Sequence, residues 1–519
     1  MLHRSSRRAA ALAVPFLTLA LLVAACSSSS GESSSSPATT ARASSGAGAA
    51  TTVARPAGPA ADLSEEITGG GGAPFLGAIG GVDLAQAGYV EHEYVAKGTA
   101  TSYATDGPFP EDGRIALRPD QTADYRTRIV VRRPADPADF NGTVVVEWLN
   151  VSGGVDANPD YAFAAEELVR RGMAWVGVSA QLIGVEGGPV AVDPGIGGLA
   201  DAVVGKGLKN IDPARYGSLS HPGDAFAYDI YTQVGRALRQ TGGSDALGGL
   251  PVERVMAMGE SQSAFALTTY VDGVQPLTNA YDGFLIHSRG GPSLPLGKPG
   301  EGVAIADAVT GGKPVRIRDD VTVPVLMVET ETDLVSIIGY HPARQPDTDT
   351  IRLWEVAGTA HADASTLGPM ADNIDCGVKI NAGPQRFVVR SAVRHLDEWM
   401  RTGQVPPEAP RLQIDVVDGT PTVRRDADGN ALGGIRTPQV DVPVATLSGD
   451  PGPSDKIICL LLGKTVPFTP ERLAQLYPSR QAYIDAYAKA TDAAIASQFV
   501  VAEDRDAIVA DAQPSAIPG

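Results

Sequence analysis

Cysteine is nearly absent, with three in 519 residues, and the chain is also poor in aromatic side chains at 6%. Basic residues are scarce relative to acidic ones: Lys and Arg number 42 against 60 Asp and Glu, a formal charge of -18. That balance excludes the electrostatic footprint of a nucleic-acid binder and of a polybasic membrane patch. There is no internal repeat, so a solenoid is excluded. Only one long apolar stretch occurs, Ala9 to Ala25, and it is short for a membrane span. The 59 glycines and 39 prolines point instead to a loop-rich globular chain, large enough for one big domain with additions or for two.

The apolar stretch follows Arg4, Arg7 and Arg8 and ends in Val23-Ala24-Ala25-Cys26. A positive start, an apolar core and small residues before a cysteine form the pattern of a bacterial lipoprotein signal. The expectation is a signal at 1–25, with Cys26 lipidated and the protein anchored to the outer face of the cell membrane. Residues 26–60 are rich in Ser, Ala, Thr and Gly and cannot bury a core, so they read as a flexible tether. Cys376 and Cys459 remain. Neither has nearby His or Cys partners for a metal, and neither stands in a sharp turn. In an exported chain an even pair is most simply a disulfide.

From residue 61 strands and helices alternate. Gly88 to Tyr103 and Tyr125 to Arg133 read as early strands. Thr143 to Leu149 is an apolar run of β-formers, Ala162 to Arg171 a helix closed by Gly172, and Met173 to Ser179 another buried strand. Strand, helix, strand in that rhythm predicts a parallel sheet with right-handed crossovers. The rhythm breaks at 181–222, which is Gly- and Pro-rich and too long for an ordinary connection, so it reads as an insertion that caps a pocket or lies on the surface. Asp224 is expected to cap a helix through Gln240 carrying Phe226, Ile230, Val234 and Leu238 on one face. Further strands are expected at Tyr281 to His287, Val323 to Val328 and Ile351 to Val356. A helix from Pro384 to Thr402 is expected to close the main domain at 61–403. The segment 404–519 reads as an extension of short strands and helices packed on it. Its Asp426 to Asn430 stretch resembles half a calcium loop but lacks the distal Glu, so a hairpin turn is expected and no metal.

The chemistry concentrates at Val255 to Leu267. A buried strand runs into Gly259-Glu260-Ser261-Gln262-Ser263 and on into an apolar helix. Strand, small-x-Ser-x-small, helix is the arrangement that exposes a serine hydroxyl on a sharp turn. A hydroxyl is a poor nucleophile at neutral pH and needs a base and an orienting acid. Both follow in the order and at the strand ends such a site requires. Glu329-Thr330-Glu331-Thr332-Asp333 comes after one strand and His361 after the next. Asp333 is preferred over Glu331 and Glu329 because it lies in a loop that can reach the ring. The oxyanion donors are expected to be the backbone N–H groups of Gln262 and Val151, with Asn150 the near alternative.

These residues resemble the α/β-hydrolase superfamily, and more narrowly a bacterial group of exported α/β-hydrolase-domain proteins. The strings that carry the resemblance are VVVEWLNVSGG (Val144–Gly154), YDIYTQVGRAL (Tyr228–Leu238), GESQSA (Gly259–Ala264), HSRGG (His287–Gly291), ETETD (Glu329–Asp333), AGTAHAD (Ala357–Asp363) and DADGNALGGIRTP (Asp426–Pro438). The resemblance implies an α/β-hydrolase fold: a mostly parallel central sheet, helices on both faces and a C-terminal extension. It implies a Ser261–Asp333–His361 triad, a small carboxylic-ester substrate and no cofactor. The chain departs from the commonest pattern in lacking an HGGG-type oxyanion motif and in having Ser263 where Gly is usual. A peptidase or acyltransferase could use the same triad. A non-enzymatic lipoprotein that binds a solute or wall polymer is the alternative from another class.

Overall fold

The structure, a computed structural model, describes residues 56–72, 75–76, 81–193, 202–240 and 245–518. The expected signal, Cys26 and all of the tether but 56–60 lie outside the described residues.

One nine-stranded sheet organises everything from residue 61 to 403. Its strands are β1 (Asp62–Glu66), β2 (Tyr89–Ala104), β3 (Arg118–Pro134), β4 (Thr143–Trp148), β5 (Ala174–Val178), β6 (Arg254–Glu260), β7 (Gly283–His287), β8 (Val325–Thr330) and β9 (Ile351–Val356). They lie in the order β1-β2-β3-β5-β4-β6-β7-β8-β9. The first three pair antiparallel, as does β3 with β5; every later pairing is parallel. Strands β4, β5, β7, β8 and β9 are buried at every residue. That is why they read as continuous apolar runs rather than alternating ones. Strands β2 and β3 form a long ribbon instead. The first half of β3, Arg118 to Asp124, is mostly exposed and polar, so the sequence shows it poorly.

Helices cover both faces. Helix α1 (Pro159–Arg170) packs on one, and helices α2 (Ala227–Leu238) and α3 (Gln262–Thr269) on the other. Helix α4 (Gln385–Thr402) joins α1, with Val389, Val393 and Leu396 buried, and it ends at Gly403 in the left-handed region, as its sequence spacing predicts. Asp224 departs from its expected role. It begins a 3-10 turn ahead of α2, and its carboxylate instead accepts from Leu182 N (2.7 Å), Val303 N (2.8 Å) and Gln181 Nε2 (3.1 Å). It ties the 181–222 insertion to the loop before residue 305 rather than capping its own helix.

The extension has two small hairpins, β10 (Ile414–Val417) with β11 (Thr420–Val423) and β12 (Ala445–Ser448) with β13 (Lys464–Pro467). Helices α5 (Pro470–Leu476) and α6 (Arg480–Ala496) follow, capped by Thr469 and Ser479 side chains. Leu473, Tyr483 and Tyr487 enter the same apolar core as α1 and α4. Asp426 makes a turn, accepting from Asp428 N and Asn430 N at 2.9 and 3.0 Å. Cys376 and Cys459 form a disulfide with a Cα separation of 5.4 Å.

The chain steps from β4 outward to β5, then returns across β4 to place β6 on its other side. A reversal of this kind opens a crevice at the carboxyl ends of β4 and β6, the usual place for a ligand in such a sheet.

Candidate functional site

Ser261 stands at that crevice, between the end of β6 and the start of α3. Its backbone is forced to φ 59°, ψ -123°, one of only five non-glycine residues at positive φ among the described residues. A β-carbon side chain tolerates this region poorly, so the surrounding hydrogen bonds must enforce it. Ser261 N donates to His287 O at 3.0 Å, and Phe265 N donates to Ser261 O at 3.1 Å. The turn is tight for the reason its small residues suggest. A Cβ on Gly259 would meet Ser263 Cβ at 2.9 Å and Leu267 Cδ1 at 3.1 Å. Ser263 fits in the usual glycine's place, though its buried hydroxyl has no hydrogen-bond partner.

Three side chains far apart in sequence meet here. His361 Nε2 lies 2.7 Å from Ser261 Oγ, and His361 Nδ1 lies 2.6 Å from Asp333 Oδ1. The other oxygen of Asp333 accepts from Thr330 N and Thr330 Oγ1, both at 2.7 Å, as part of a capping box on the turn 331–335. Burial works against charge on Asp333, but His361 and the Thr330 hydrogen bonds outweigh it and hold its carboxyl below the usual range. Burial likewise opposes a charged His361, yet the carboxylates of Asp333 and Glu260 together raise its proton affinity above the ordinary imidazole value. The ring is thus set to take a proton from Ser261 at Nε2 while Asp333 fixes the opposite nitrogen.

The other acids weighed for this position do different things. Glu331 accepts from Gly358 N (2.6 Å) and Gly449 N (3.0 Å) and pairs with Arg425. It therefore clamps the histidine loop to the C-terminal extension. Two further ties do the same: Ala362 N donates to Leu461 O, and Asn381 Nδ2 donates to Gly358 O and Ser448 O. Glu329 is fully buried, and burial pushes its carboxyl well above the usual range.

The oxyanion expectation needs correction at Val151. Its N–H donates to Gln262 Oε1 at 3.2 Å, so it is already engaged. The orientation of that amide follows from its neighbours. Trp148 Nε1, which can only donate, points to Gln181 Oε1 (3.0 Å), Gln262 Nε2 donates to the same oxygen (2.6 Å), and Gln181 Nε2 is turned to Asp224. The carbonyl of Gln262 is left facing Val151. The backbone N–H of Asn150 is engaged as well, donating to Ala157 O at 2.9 Å, while its Nδ2 donates to Glu260 O at 3.2 Å. Gln262 N lies in the first turn of α3, where a helix's own hydrogen bonding leaves N–H groups without an intrahelical partner.

Sequence reasoning missed a row of ionisable groups on the α1 side of the sheet. Glu147, next to last in β4, and Glu260 and His287, which end β6 and β7, are all buried. His287 Nδ1 lies 2.8 Å from Asp160 Oδ1 and its Nε2 lies 2.7 Å from Gln385 Nε2. Burial pushes His287 down to about 4, so the ring is neutral, donating to Asp160 and accepting from Gln385. Burial drives Glu260 up to about 7, only partly offset by His361. The signal was available: charged residues closing otherwise apolar buried strands, one of them adjacent to the serine. Among the described residues no group of His, Cys, Asp and Glu side chains is placed to hold a metal ion.

The chain bears structural likeness to a serine hydrolase without a lid from Xanthomonas campestris (13% identity, 57% of this chain and 94% of that one, TM-score 0.29). It is similar to a fungal esterase from Rhizomucor miehei (11%, 60% and 85%, 0.29) and to Est1E from Butyrivibrio proteoclasticus (11%, 57% and 99%, 0.29). These overlaps are too loose to bear on substrate or mechanism. No curated protein matches the sequence significantly. Residues 54–510 match the family described as "Alpha/beta hydrolase domain", so the match spans the sheet, the serine turn and the extension alike. The chain belongs to the α/β-hydrolase family.

Proposed function

We propose that this hydrolase is a serine esterase that cleaves small carboxylic esters through an acyl-enzyme on Ser261. The observation that carries the reading is the continuous hydrogen-bond path from Ser261 Oγ through His361 to Asp333, with links of 2.7 and 2.6 Å, at the sheet's switch point. Ser261 attacks the ester carbonyl as His361 Nε2 takes its proton. Asp333 stabilises the imidazolium, which then protonates the departing alcohol. Water, deprotonated by the same ring, releases the acid. Gln262 N–H supports the oxyanion. A serine nucleophile disfavours chemistry that needs a carboxylate at this turn, such as epoxide or haloalkane hydrolysis.

A fluorophosphonate probe tests the reading. Labelling should fall on Ser261 and vanish in Ser261→Ala; an unlabelled wild-type protein overturns it and favours a binding lipoprotein. Hydrolysis of a series of p-nitrophenyl esters then separates an esterase from a peptidase or acyltransferase with the same triad. We further propose that Cys26 carries lipid and holds the enzyme on the outer face of the cell membrane, supported by the residues around that cysteine. Cys26→Ser should shift the protein from the membrane to the soluble fraction.

A further inference from the structure

The proton-accepting nitrogen of His361 has a second acidic neighbour besides the serine. Glu260, the residue directly before Ser261, places Oε1 3.6 Å from His361 Nε2, with both side chains almost wholly enclosed. The imidazole therefore lies between two carboxyl groups, Asp333 at Nδ1 and Glu260 beside Nε2. At 3.6 Å the Glu260 oxygen is beyond hydrogen-bond range, and Nε2 is already in line with Ser261 Oγ at 2.7 Å. Its influence is thus one of charge. Glu260 is also held where it is. Its strand neighbour is His287, Asn150 Nδ2 ties its backbone carbonyl, and Ser261 in its strained turn fixes the next residue.

We propose that Glu260 is a second carboxylate partner of the relay histidine, acting through the imidazole to hold the proton on Nε2 while the tetrahedral intermediate exists. The inference rests on the esterase reading above. As Ser261 attacks, its proton moves to Nε2, and positive charge develops between Asp333 and Glu260. When the leaving alcohol departs it takes that proton, and the ring returns to neutrality. Glu260 neither gains nor loses a bond in either step. Its position explains why an acid side chain is kept at the buried end of an apolar strand, where desolvation opposes it.

The charged and titratable groups facing Glu260 are His361 and Asp333 from the loops after β9 and β8, His287 from β7 and Asp160 from α1. His287 is neutral and Asp160 is turned to it, so His361 is the partner that Glu260 addresses. Glu260 and His361 then titrate as a pair, and the acid limb of the rate profile belongs to both. Removing the Glu260 charge lowers the proton affinity of the ring. An opposite charge at this range moves a pKa by about 1 unit or more. In Glu260→Gln the acid limb of kcat/KM should therefore shift to lower pH by about 1 unit, while the plateau rate at high pH falls because the imidazolium has lost a stabilising charge.

The test is the pH dependence of kcat/KM for p-nitrophenyl acetate in wild type, Glu260→Gln and Glu260→Asp, with fluorophosphonate labelling of Ser261 as the control for an intact site. A limb displaced downward in Glu260→Gln, with an intermediate limb in Glu260→Asp, supports the proposal. A merely structural role lowers the rate without moving the limb, and a limb unchanged in a labelled Glu260→Gln protein overturns it while leaving the esterase reading intact. If Glu260→Gln does not fold, Glu260→Asp decides, since drawing the charge back by one methylene must still lower the limb; an unmoved or raised limb overturns the proposal. A wild-type protein that neither labels nor hydrolyses the ester removes the esterase reading and this inference with it.

Discussion

Replacing Asp333 with asparagine tests the proton path without altering its shape. In the structure one Asp333 oxygen faces two donors, Thr330 N and Thr330 Oγ1, and the other faces His361 Nδ1. An asparagine at this position must turn its carbonyl oxygen toward Thr330, because its amino group would face the Thr330 backbone N–H, which can only donate. Its NH2 group then points at Nδ1, which must become an acceptor. The ring proton is forced to Nε2, the nitrogen that has to accept from Ser261. The base is thereby blocked while packing is retained. A triad locked in the wrong tautomer loses about 10,000-fold in kcat, equivalent to about 5.5 kcal/mol of barrier. The assay is p-nitrophenyl acetate hydrolysis near neutral pH, with the fluorophosphonate labelling rate measured in parallel and circular dichroism to check the fold. Glu329→Gln serves as the control and should keep a rate near that of wild type. A folded Asp333→Asn protein that loses less than about tenfold, or a Glu329→Gln protein that loses more, refutes the assignment of the acid.

Three further outcomes are expected. Mutating both Cys376 and Cys459 to alanine releases a cross-link across 83 residues of sequence, which the chain-entropy account values at about 4.5 kcal/mol and typical measurements at about 2–4; chemical denaturation without reductant should show a loss of that order, and none would mean that the bridge does not form. Gly259→Ala forces a methyl group against Ser263 and Leu267, and overpacking of this kind costs about 1–3 kcal/mol, readable as a lower thermal midpoint together with slower labelling of Ser261. His287 has a folded-state pKa depressed to about 4, so the unfolded chain binds the extra proton and stability falls as pH drops from about 6.5 towards 4. Glu260, raised to about 7, works in the opposite sense, its contribution being lost as pH climbs towards that value, so the comparison is best made by difference: His287→Gln should flatten the acid-side slope of denaturation free energy against pH, and an unchanged slope would show that the ring is not buried neutral.

Much of this site could be read in the residue order because parallel strands bring distant loops to one edge. Ser261, Asp333 and His361 each follow an apolar run, and runs buried on both faces are the easiest strands to see. The choice of Asp333 over Glu331 turned on reach, and the structure gives Glu331 a different partner in Gly358. What escaped reading depends on contacts between side chains distant in sequence. Nothing near Val151 signals that Gln262 will take its N–H, because that amide is oriented through Gln181, Trp148 and Asp224. Asp224 has the residue type and place of a helix cap, yet its carboxylate is drawn to Leu182 and Val303 by tertiary packing. The first half of β3 is exposed and charged and lacks the alternation by which a half-buried strand is recognised.

The loop bearing His361 is fastened by Gly449, Arg425, Ser448 and Leu461, all of which come well after it in the chain. A partly made or truncated copy could assemble the whole nine-stranded sheet and still lack a settled imidazole. A settled imidazole would then depend on docking of the last quarter of the polypeptide.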